Sequence, residues 1–324
     1  MKGPLHSNCS EMDISNLIPD NSGPLLFTPK SKDFDPFRWL AENMLTLDEC
    51  ILKYGGVLLR NFNISSVSEF NRFVHKVSPN LLEYVNRSTP RTRLGGKIYT
   101  STEYPPEKQI SMHNECSYSN SWPSKIFFYS SIVASSGGQT PIADSRAVYK
   151  KIDQKIREKF EEHGVMYIRN YSKGTDLRWE DVFQTDKKNE VEEYCKKEGI
   201  EYQWKDGFPE LTTKQVCKAT LTHPISKELV WFNQAHLYHV SSLDEISKNS
   251  LINEFGINNI PRNAFYGNGE TIEGEVLEHI RDVYSQEKIT FDWEHGDILI
   301  LDNLLMAHGR EPYQGERKVA VAMS

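Results

Sequence analysis

Short runs with the composition of β-strands lie at widely separated points of the chain and constrain its fold most strongly. Val57-Leu58-Leu59 follows two glycines, and residues 126–133 are β-branched and aromatic almost throughout. Residues 289–293, 297–302 and 317–323 have the same character near the other end of the chain. Because strands need partners to bury their apolar side chains, we expect both ends of the chain to meet in one domain.

Helical spacing occurs between these strands. Residues 36–53 place apolar side chains near one face, residues 65–74 begin with capping residues, and residues 145–165 are charged and amphipathic. Residues 1–35 are polar and contain several prolines and glycines, so we expect an extended N-terminal arm. The remainder, 36–324, is predicted to be a single mainly β domain, a sandwich or barrel with added helices.

The stretch 166–220 differs from its surroundings. It is polar, rich in Lys, Glu and Asp, and mixed in pattern, with a helical stretch near 186–197. We interpret it as an insertion in the domain or as a lid, because loops that close over a site commonly exclude water and select the substrate.

Composition excludes several classes of protein. The 324 residues include 38 Lys and Arg against 45 Asp and Glu, a formal net charge of −7, and no dense basic segment that would bind nucleic acid. No apolar run approaches the ~20 residues of a membrane span, and the N-terminus lacks the apolar core of a signal peptide. Five cysteines without a C-x-x-C pair fit free thiols. We expect a cytoplasmic protein with neither nucleic-acid nor membrane partners.

His113-Asn114-Glu115 is the first feature that suggests a metal site. Side chains at positions i and i+2 of a strand lie on one face, so His113 and Glu115 can reach one ion. An imidazole and a carboxylate suit iron(II), manganese or zinc, and a second histidine would complete a facial triad with three open positions. The alternative interpretation is two unrelated surface residues.

The second histidine has to come from elsewhere in the chain. His236 and His239 form an H-x-x-H pair, which is a rival metal site. His308 follows a strand and a short link, and Arg317 comes nine residues later in the last predicted strand. An arginine close to a metal-binding histidine would supply a fixed cation for an acidic co-substrate, which favours His308.

These residues belong to a longer ordered set of motifs. The set resembles the taurine dioxygenase/clavaminate synthase superfamily of iron(II)- and 2-oxoglutarate-dependent oxygenases over about residues 54–323. Its members are His113-x-Glu115, Gly137-Gly-Gln-Thr140-Pro, Gly296-Asp297, Asp302-Asn303 and His308-Gly-Arg310-x-Pro-Tyr313-x-Gly315-x-Arg317. The segments that begin at Thr102 and Asn114 are most similar to the branch that contains syringomycin-type aspartyl β-hydroxylases.

The resemblance implies a fold, cofactors and site residues. The fold would be a double-stranded β-helix, or jelly roll, with a helical N-terminal part and a lid-like insertion. Iron(II) would be bound by His113, Glu115 and His308, with 2-oxoglutarate and dioxygen as co-substrates. Thr140 and Arg317 match the pair that binds the distal carboxylate of 2-oxoglutarate, although Thr140 also suits a turn before a proline.

Two departures from the superfamily pattern bear on the substrate. In the taurine enzyme a second arginine, four residues after the first, binds the sulfonate, and here that position is Val321. A sulfonate substrate is therefore not expected. The acid of the triad is Glu115 where many relatives have aspartate, and its presence argues against a halogenase, in which the carboxylate is missing.

Several residues near the motifs have two interpretations. Arg310 either contacts substrate or co-substrate or braces its loop. Trp231 and Asn233, with the phenylalanine between them, either line the substrate pocket or belong to a core strand. Cys116 is expected on the face opposite Glu115, as buried apolar filling.

The expected reaction is hydroxylation of an amino acid or an amino-acid-derived intermediate in specialised metabolism such as antibiotic biosynthesis, free or bound to a peptidyl carrier protein. The alternative within the family is desaturation or cyclisation of a free amino-acid-like substrate. A non-catalytic jelly-roll binding protein would not need the complete motif set, and a hydrolytic zinc enzyme would need neither Thr140 nor Arg317. Succinate release on addition of iron(II), ascorbate and 2-oxoglutarate distinguishes an enzyme from a binding protein.

Overall fold

The computed structural model describes residues 11–19, 23–84, 86, 88–172, 177–207 and 209–324. Over these residues the chain forms nine α-helices and nineteen strands. The helices are α1 (Pro36–Tyr54), α2 (Val67–Val77), α3 (Ser145–Lys151), α4 (Gln154–His163), α5 (Trp179–Phe183), α6 (Lys188–Glu198), α7 (Ala235–Tyr238), α8 (Glu245–Phe255) and α9 (Gly274–Glu287), with a 3-10 turn at Val240–Ser242. None of the helices in this part of the chain has the length and apolar character needed to cross a membrane.

The strands form two large sheets and three smaller ones. The first nine are β1 (Met12–Asn16), β2 (Leu25–Pro29), β3 (Gly56–Leu59), β4 (Arg93–Gly95), β5 (Ile98–Thr100), β6 (Ile110–His113), β7 (Lys125–Ile132), β8 (Ser136–Gly137) and β9 (Ile142–Asp144). The others are β10 (Val165–Tyr171), β11 (Glu201–Trp204), β12 (Leu211–Cys217), β13 (Thr220–Thr222), β14 (Leu229–Trp231), β15 (Arg262–Tyr266), β16 (Ile298–Asp302), β17 (Met306–Arg310), β18 (Tyr313–Gln314) and β19 (Lys318–Met323).

An eight-stranded sheet in the order β1-β2-β3-β16-β7-β19-β5-β4 joins both ends of the described chain. Its pairs are antiparallel except β2 with β3. The predicted strands near 57–59, 126–133, 297–302 and 317–323 form β3, β7, β16 and β19, which are consecutive neighbours in this sheet. The expectation that distant runs meet in one unit is therefore confirmed.

Both faces of this sheet are buried, which explains why its central strands are continuous apolar runs. Phe127, Ile298 and Ile300 lie on the face that packs under α1 and α2. The alternate residues Phe128 and Val321 lie on the other face, in a cluster that continues toward β17. The second face is the one that borders the candidate site.

The predicted N-terminal helices are confirmed by α1 and α2. Asp35 begins α1 by accepting hydrogen bonds from the amides of Phe37 and Arg38, at 2.9 and 3.2 Å. Gly55 ends it with φ of +78°, a conformation that is inexpensive only for glycine. Ser66 begins α2 by accepting from the amide of Glu69. The local capping signals thus determine where these helices start and stop.

A three-stranded sheet, β6-β17-β9, faces the site from the other side. The two-stranded pair β18-β8 continues from it, with Tyr313 opposite Gly137. A further pair, β13-β14, lies between the insertion and α7. The resulting architecture is a mixed helix and strand fold with large sheets.

Two expectations about strands were wrong. Residues 12–16 and 25–29, which were expected in an extended arm, form the edge strand β1 and its neighbour β2 in the main sheet, because Phe27 and Leu25 are buried against its core. In the sequence, polar neighbours obscured the apolar residues of these two strands. Residues 289–293 do not form a strand, and only Ile289 makes an isolated bridge, to Ile142. Residues 1–10 and 20–22 of the predicted arm lie outside the described residues.

The stretch 166–220 contains more regular structure than its composition suggested. The predicted helical stretch forms α6, but β10, β11 and β12 were not anticipated, and with β15 they build a four-stranded sheet. This region has its own core around Trp179, Val191 and Leu211. In β12 every second residue is buried, but two of these buried residues, Thr213 and Gln215, are polar, so the strand had no clear apolar pattern in the sequence.

Candidate active site

Two histidines meet across neighbouring strands. His308 on β17 is the direct partner of His113 on β6, and their ring centroids are 4.8 Å apart. Glu115 follows β6, and its Oε2 lies 3.6 Å from Nε2 of His308. One ligand atom from each of the three residues lies within 4.8 Å of the others, and the described residues contain no second group of this kind. The tertiary fold thus brings together the three predicted metal ligands.

The backbone at Glu115 is held by the turn that joins β16 to β17. The amide of Glu115 donates to Oδ1 of Asn303 at 2.7 Å, and Nδ2 of Asn303 donates to the carbonyls of Glu115 and Pro123. Asn303 is completely buried. The sequence motif contained Asn303, but nothing in the sequence indicated this role. Asn303 links the backbone of Glu115 to the turn that precedes the strand of His308.

Arg91 is a second residue whose contact with the triad was not foreseen. Its Nη2 lies 2.9 Å from Oε2 of Glu115, and both side chains are only 3% exposed. Its guanidinium also lies over the ring of Tyr84, 4.4 Å from the centroid. Arg91 lies in a loop outside every motif, so no sequence signal pointed to it.

Two of the candidate ligands, His113 and Glu115, are in the protonation states that bind metal ions. Burial, reinforced by the neighbouring His308, lowers the pKa of His113 to about 4, so its imidazole is neutral near pH 7. Burial would raise the pKa of Glu115, but the Arg91 charge and hydrogen bonding hold it well below its usual range. Nδ1 of His113 donates to the carbonyl of Ser111 at 2.8 Å, which leaves Nε2 for a ligand. A neutral imidazole and an ionised carboxylate are the kinds of donor that iron(II) requires.

Two of the candidate ligands, His113 and His308, line a pocket between the two sheets. Its floor is formed by His113 and His308, and Phe128, Val319 and Val321 of the large sheet form the opposite wall. The ring of Phe128 lies 5.0 Å from that of His308. The pocket is therefore apolar on the side of the large sheet and polar at the two histidines.

Thr140 and Arg317 lie at one end of this pocket. Nη2 of Arg317 is 3.4 Å from Oγ1 of Thr140, and its Nε donates to the carbonyl of Gly138 at 2.8 Å. The indole of Trp293 donates to the same Thr140 oxygen at 3.1 Å. Burial and the nearby Arg310 lower the pKa of Arg317 to about 10, so it remains a cation near neutral pH. A buried cation beside a hydroxyl is suited to bind a carboxylate.

Arg310 borders the pocket but is engaged by backbone groups. Its Nη1 donates to the carbonyl of Tyr104 at 2.9 Å, and its Nη2 donates to those of Pro105 and Lys108, each at 2.6 Å. These contacts favour the interpretation that Arg310 braces a loop.

Trp231 and Asn233 do not line this pocket. Trp231 is completely buried, with its ring 5.1 Å from that of Phe160. Nδ2 of Asn233 donates to the carbonyl of Ala219 at 2.9 Å, and its Oδ1 accepts from the amide of Ala235. These contacts favour the interpretation that Trp231 belongs to the core, and they place Asn233 in a turn.

The rival histidine pair has structural partners instead of a third ligand. Nε2 of His236 lies 3.0 Å from the carbonyl of Met112, and Nδ1 of His239 lies 2.9 Å from the hydroxyl of Ser241. Within the described ranges this pair is not part of any group of three ligand side chains.

Cys116 does not occupy the face expected from strand alternation. Its φ of +57° turns the chain just after Glu115, and its Sγ lies 4.0 Å from Oε1 of that carboxylate. β6 has already ended at His113, so the two-residue period of a strand no longer applies. The expected strand face was wrong for this reason, whereas Cys116 does pack, partly buried, against the apolar cluster of the large sheet.

Sequence comparisons agree with the geometry of the site. The Taurine catabolism dioxygenase TauD, TfdA family matches residues 21–323. The dapdiamide synthesis protein DdaC of Enterobacter agglomerans is 41% identical over 277 residues, 86% of this chain and 84% of that protein. A clavaminate synthase-like protein of Arabidopsis thaliana is 29% identical over 287 residues, 86% of this chain and 83% of its own.

Solved structures show the same fold. PvcB, described as an Fe, alpha-ketoglutarate dependent oxygenase from an isonitrile synthetic pathway, superposes with a TM-score of 0.58 at 14% identity, covering 97% of this chain and 92% of that one. AAD-2 in complex with Mn(II) and N-oxalylglycine gives a TM-score of 0.54 at 13% identity, covering 96% of each chain. With the family match over most of its length, the chain belongs to the TauD/TfdA family and is an iron(II)- and 2-oxoglutarate-dependent dioxygenase.

Proposed function

We propose that His113, Glu115 and His308 hold the iron(II) ion, and that Thr140 and Arg317 bind the distal carboxylate of 2-oxoglutarate. The observation that carries this proposal is the convergence of three ligand atoms within 4.8 Å, beside a pocket that is lined by both histidines and by Arg317. The neutral state of His113 and the ionised state of Glu115 support it further. A metal bound to three protein ligands keeps open positions for co-substrates.

The chemistry comes from the bound groups, and the chain provides their arrangement. Iron(II) with 2-oxoglutarate supplies an oxidant that transfers one oxygen atom of dioxygen to a C–H bond. Arg317 donates hydrogen bonds to the co-substrate carboxylate and compensates its charge in a buried position. Phe128 and Val321 exclude water from the neighbouring volume, which protects a reactive site from side reactions.

We further propose that the substrate is an amino acid or an amino-acid-derived intermediate, free or bound to a carrier protein, and that the reaction is hydroxylation. Two observations support this. DdaC, whose name assigns it to dapdiamide synthesis, is 41% identical to this chain. Val321 lies on the pocket wall at the position where the taurine enzyme has the second arginine that binds the sulfonate. The alternative outcome at the same site is desaturation or cyclisation of a free amino-acid-like substrate.

In the same proposal the two facing sheets form the jelly-roll core, and the region 166–220 acts as its lid. The facing arrangement is supported by the shared pocket, which takes residues from β6 and β17 on one side and from β7 and β19 on the other. The lid role is supported by the separate core around Trp179 and Leu211, because a region with its own core can move as a unit.

The test is a substrate screen with the iron-loaded chain, ascorbate and 2-oxoglutarate. Free and carrier-tethered amino acids are scored for a mass gain of one oxygen atom together with stoichiometric succinate. The His308→Ala variant is the matched control and should yield neither product. Loss of two hydrogen atoms without oxygen gain would establish desaturation or cyclisation instead, and turnover of only sulfonates would overturn the substrate assignment.

A further inference from the structure

Tyr313 lies beside both arginines at the end of the pocket. The guanidinium carbon of Arg310 is 5.1 Å from the centroid of the Tyr313 ring, and that of Arg317 is 5.7 Å from the same centroid. Both separations are within the ~6 Å over which a cation is attracted to an aromatic face. One ring therefore contacts two like charges, which repel each other.

The segment around Tyr313 also forms hydrogen bonds to an exposed loop, residues 104–108. Arg310 donates three hydrogen bonds to backbone carbonyls of this loop. The amide of Tyr313 donates a fourth, to the carbonyl of Pro106 at 2.9 Å. A loop with few buried side chains depends on such backbone contacts for its order.

The residues that precede the loop and the second arginine, Arg317, all line the pocket. Ser101 and Thr102, which lead into the loop, lie on the pocket wall together with Arg317. Arg317 is tied to the opposite side of the site by Gly138 and Thr140. Tyr313 thus contacts Arg317 directly and the loop 104–108 through Arg310.

We propose that Tyr313 is a positioning residue that couples 2-oxoglutarate binding at Arg317 to the order of the loop 104–108. This inference rests on the proposed function, in which Arg317 binds the co-substrate. A carboxylate at Arg317 compensates one of the two positive charges, so both guanidiniums pack on Tyr313 with less mutual repulsion. Arg310 then holds the loop more firmly. The ring in turn restricts Arg317 to the orientation that receives the carboxylate.

The experiment compares two ring-free variants, Tyr313→Leu and Tyr313→Gln, with Tyr313→Phe, which keeps the ring. Binding of 2-oxoglutarate is titrated with iron-loaded, oxygen-free protein, and trypsin cleavage after Lys108 is followed by mass spectrometry with and without 2-oxoglutarate. Cleavage after the exposed Lys205 is the internal control, because that residue lies outside this contact network.

We expect the ring-free variants to bind 2-oxoglutarate about tenfold more weakly, a typical cation–π contribution. They should also lose the protection of Lys108 by 2-oxoglutarate, while cleavage after Lys205 stays unchanged. Tyr313→Phe should behave like the parent. Parental affinity and parental protection in both ring-free variants would overturn the inference. Arg317→Ala separates the two proposals, since undiminished 2-oxoglutarate binding in that variant would overturn the proposed function itself.

Discussion

Nη2 of Arg91 lies 2.9 Å from Oε2 of Glu115, and the same carboxylate oxygen lies 3.6 Å from Nε2 of His308. The carboxylate of the candidate metal site is therefore charge-compensated before any ion binds. A buried carboxylate without such a partner would take up a proton and lose its value as a ligand. The ion pair thus keeps Glu115 ionised, and the packing of the surrounding fold offsets the free energy of desolvating both charges.

Arg91→Met is expected to lower the free energy of unfolding of the metal-free protein by about 3–5 kcal/mol, because it leaves a buried carboxylate unpaired. The double variant Arg91→Met with Glu115→Gln should recover much of that loss, since neither charge remains. Urea denaturation of the single and double variants measures both values. Equal stability of Arg91→Met and the parent would show that the pair is not coupled to folding.

His308→Ala is expected to abolish turnover and most iron binding while the chain stays folded, because two protein ligands hold the ion poorly. Iron content after desalting and succinate release report the two losses. His75→Ala, a change on the exposed part of α2, is the matched control and should retain both properties. Parental turnover in His308→Ala would remove this residue from the metal site.

Asn303→Ala is expected to destabilise the protein by about 1–3 kcal/mol, because the buried amide and carbonyl of Glu115 lose their hydrogen-bond partner. Iron affinity should fall as well, since the carboxylate is no longer fixed relative to His308. Thermal unfolding and iron titration measure the two effects. A stability loss with unchanged iron affinity would limit Asn303 to a structural role.

Arg317→Ala is expected to raise the 2-oxoglutarate requirement by about a hundredfold, because each tenfold step corresponds to about 1.4 kcal/mol and a buried ion pair contributes several. Iron affinity should change little. Arg310→Ala should affect 2-oxoglutarate less, because its guanidinium is occupied by carbonyls of the loop 104–108. Titration of both variants in iron-loaded, oxygen-free form gives the comparison. The reverse order of effects would mean that the last strand has been assigned incorrectly.

Local sequence was sufficient to predict the elements whose signals are themselves local. Asp35 and Gly55 define α1 through a cap and a positive φ, and both features depend on a few adjacent residues. The continuous apolar runs of β7 and β16 indicated strands, and the structure buries both faces of their central residues. Ordered motifs over a long stretch also identified the superfamily, because each motif occurs at its characteristic spacing.

Contacts between distant segments could not be predicted in the same way. Arg91 precedes Glu115 by 24 residues in an irregular loop, and their pairing depends on how that loop crosses the sheet. The positive φ of Cys116 arises where β6 has ended, so strand periodicity misplaced its side chain. β1 and β2 could be recognised as strands only from their burial against the main sheet.

The sequence by itself determined which residue types are present, where helices begin and end, and which superfamily the motifs match. Only the tertiary structure decided that His113 and His308 face each other across β6 and β17, and that Arg310 binds a loop while Arg317 reaches Thr140. The physical reason is the range of the interactions. Capping and strand alternation act within a few residues, whereas ion pairs and metal ligands depend on distances set by packing of the whole sheet.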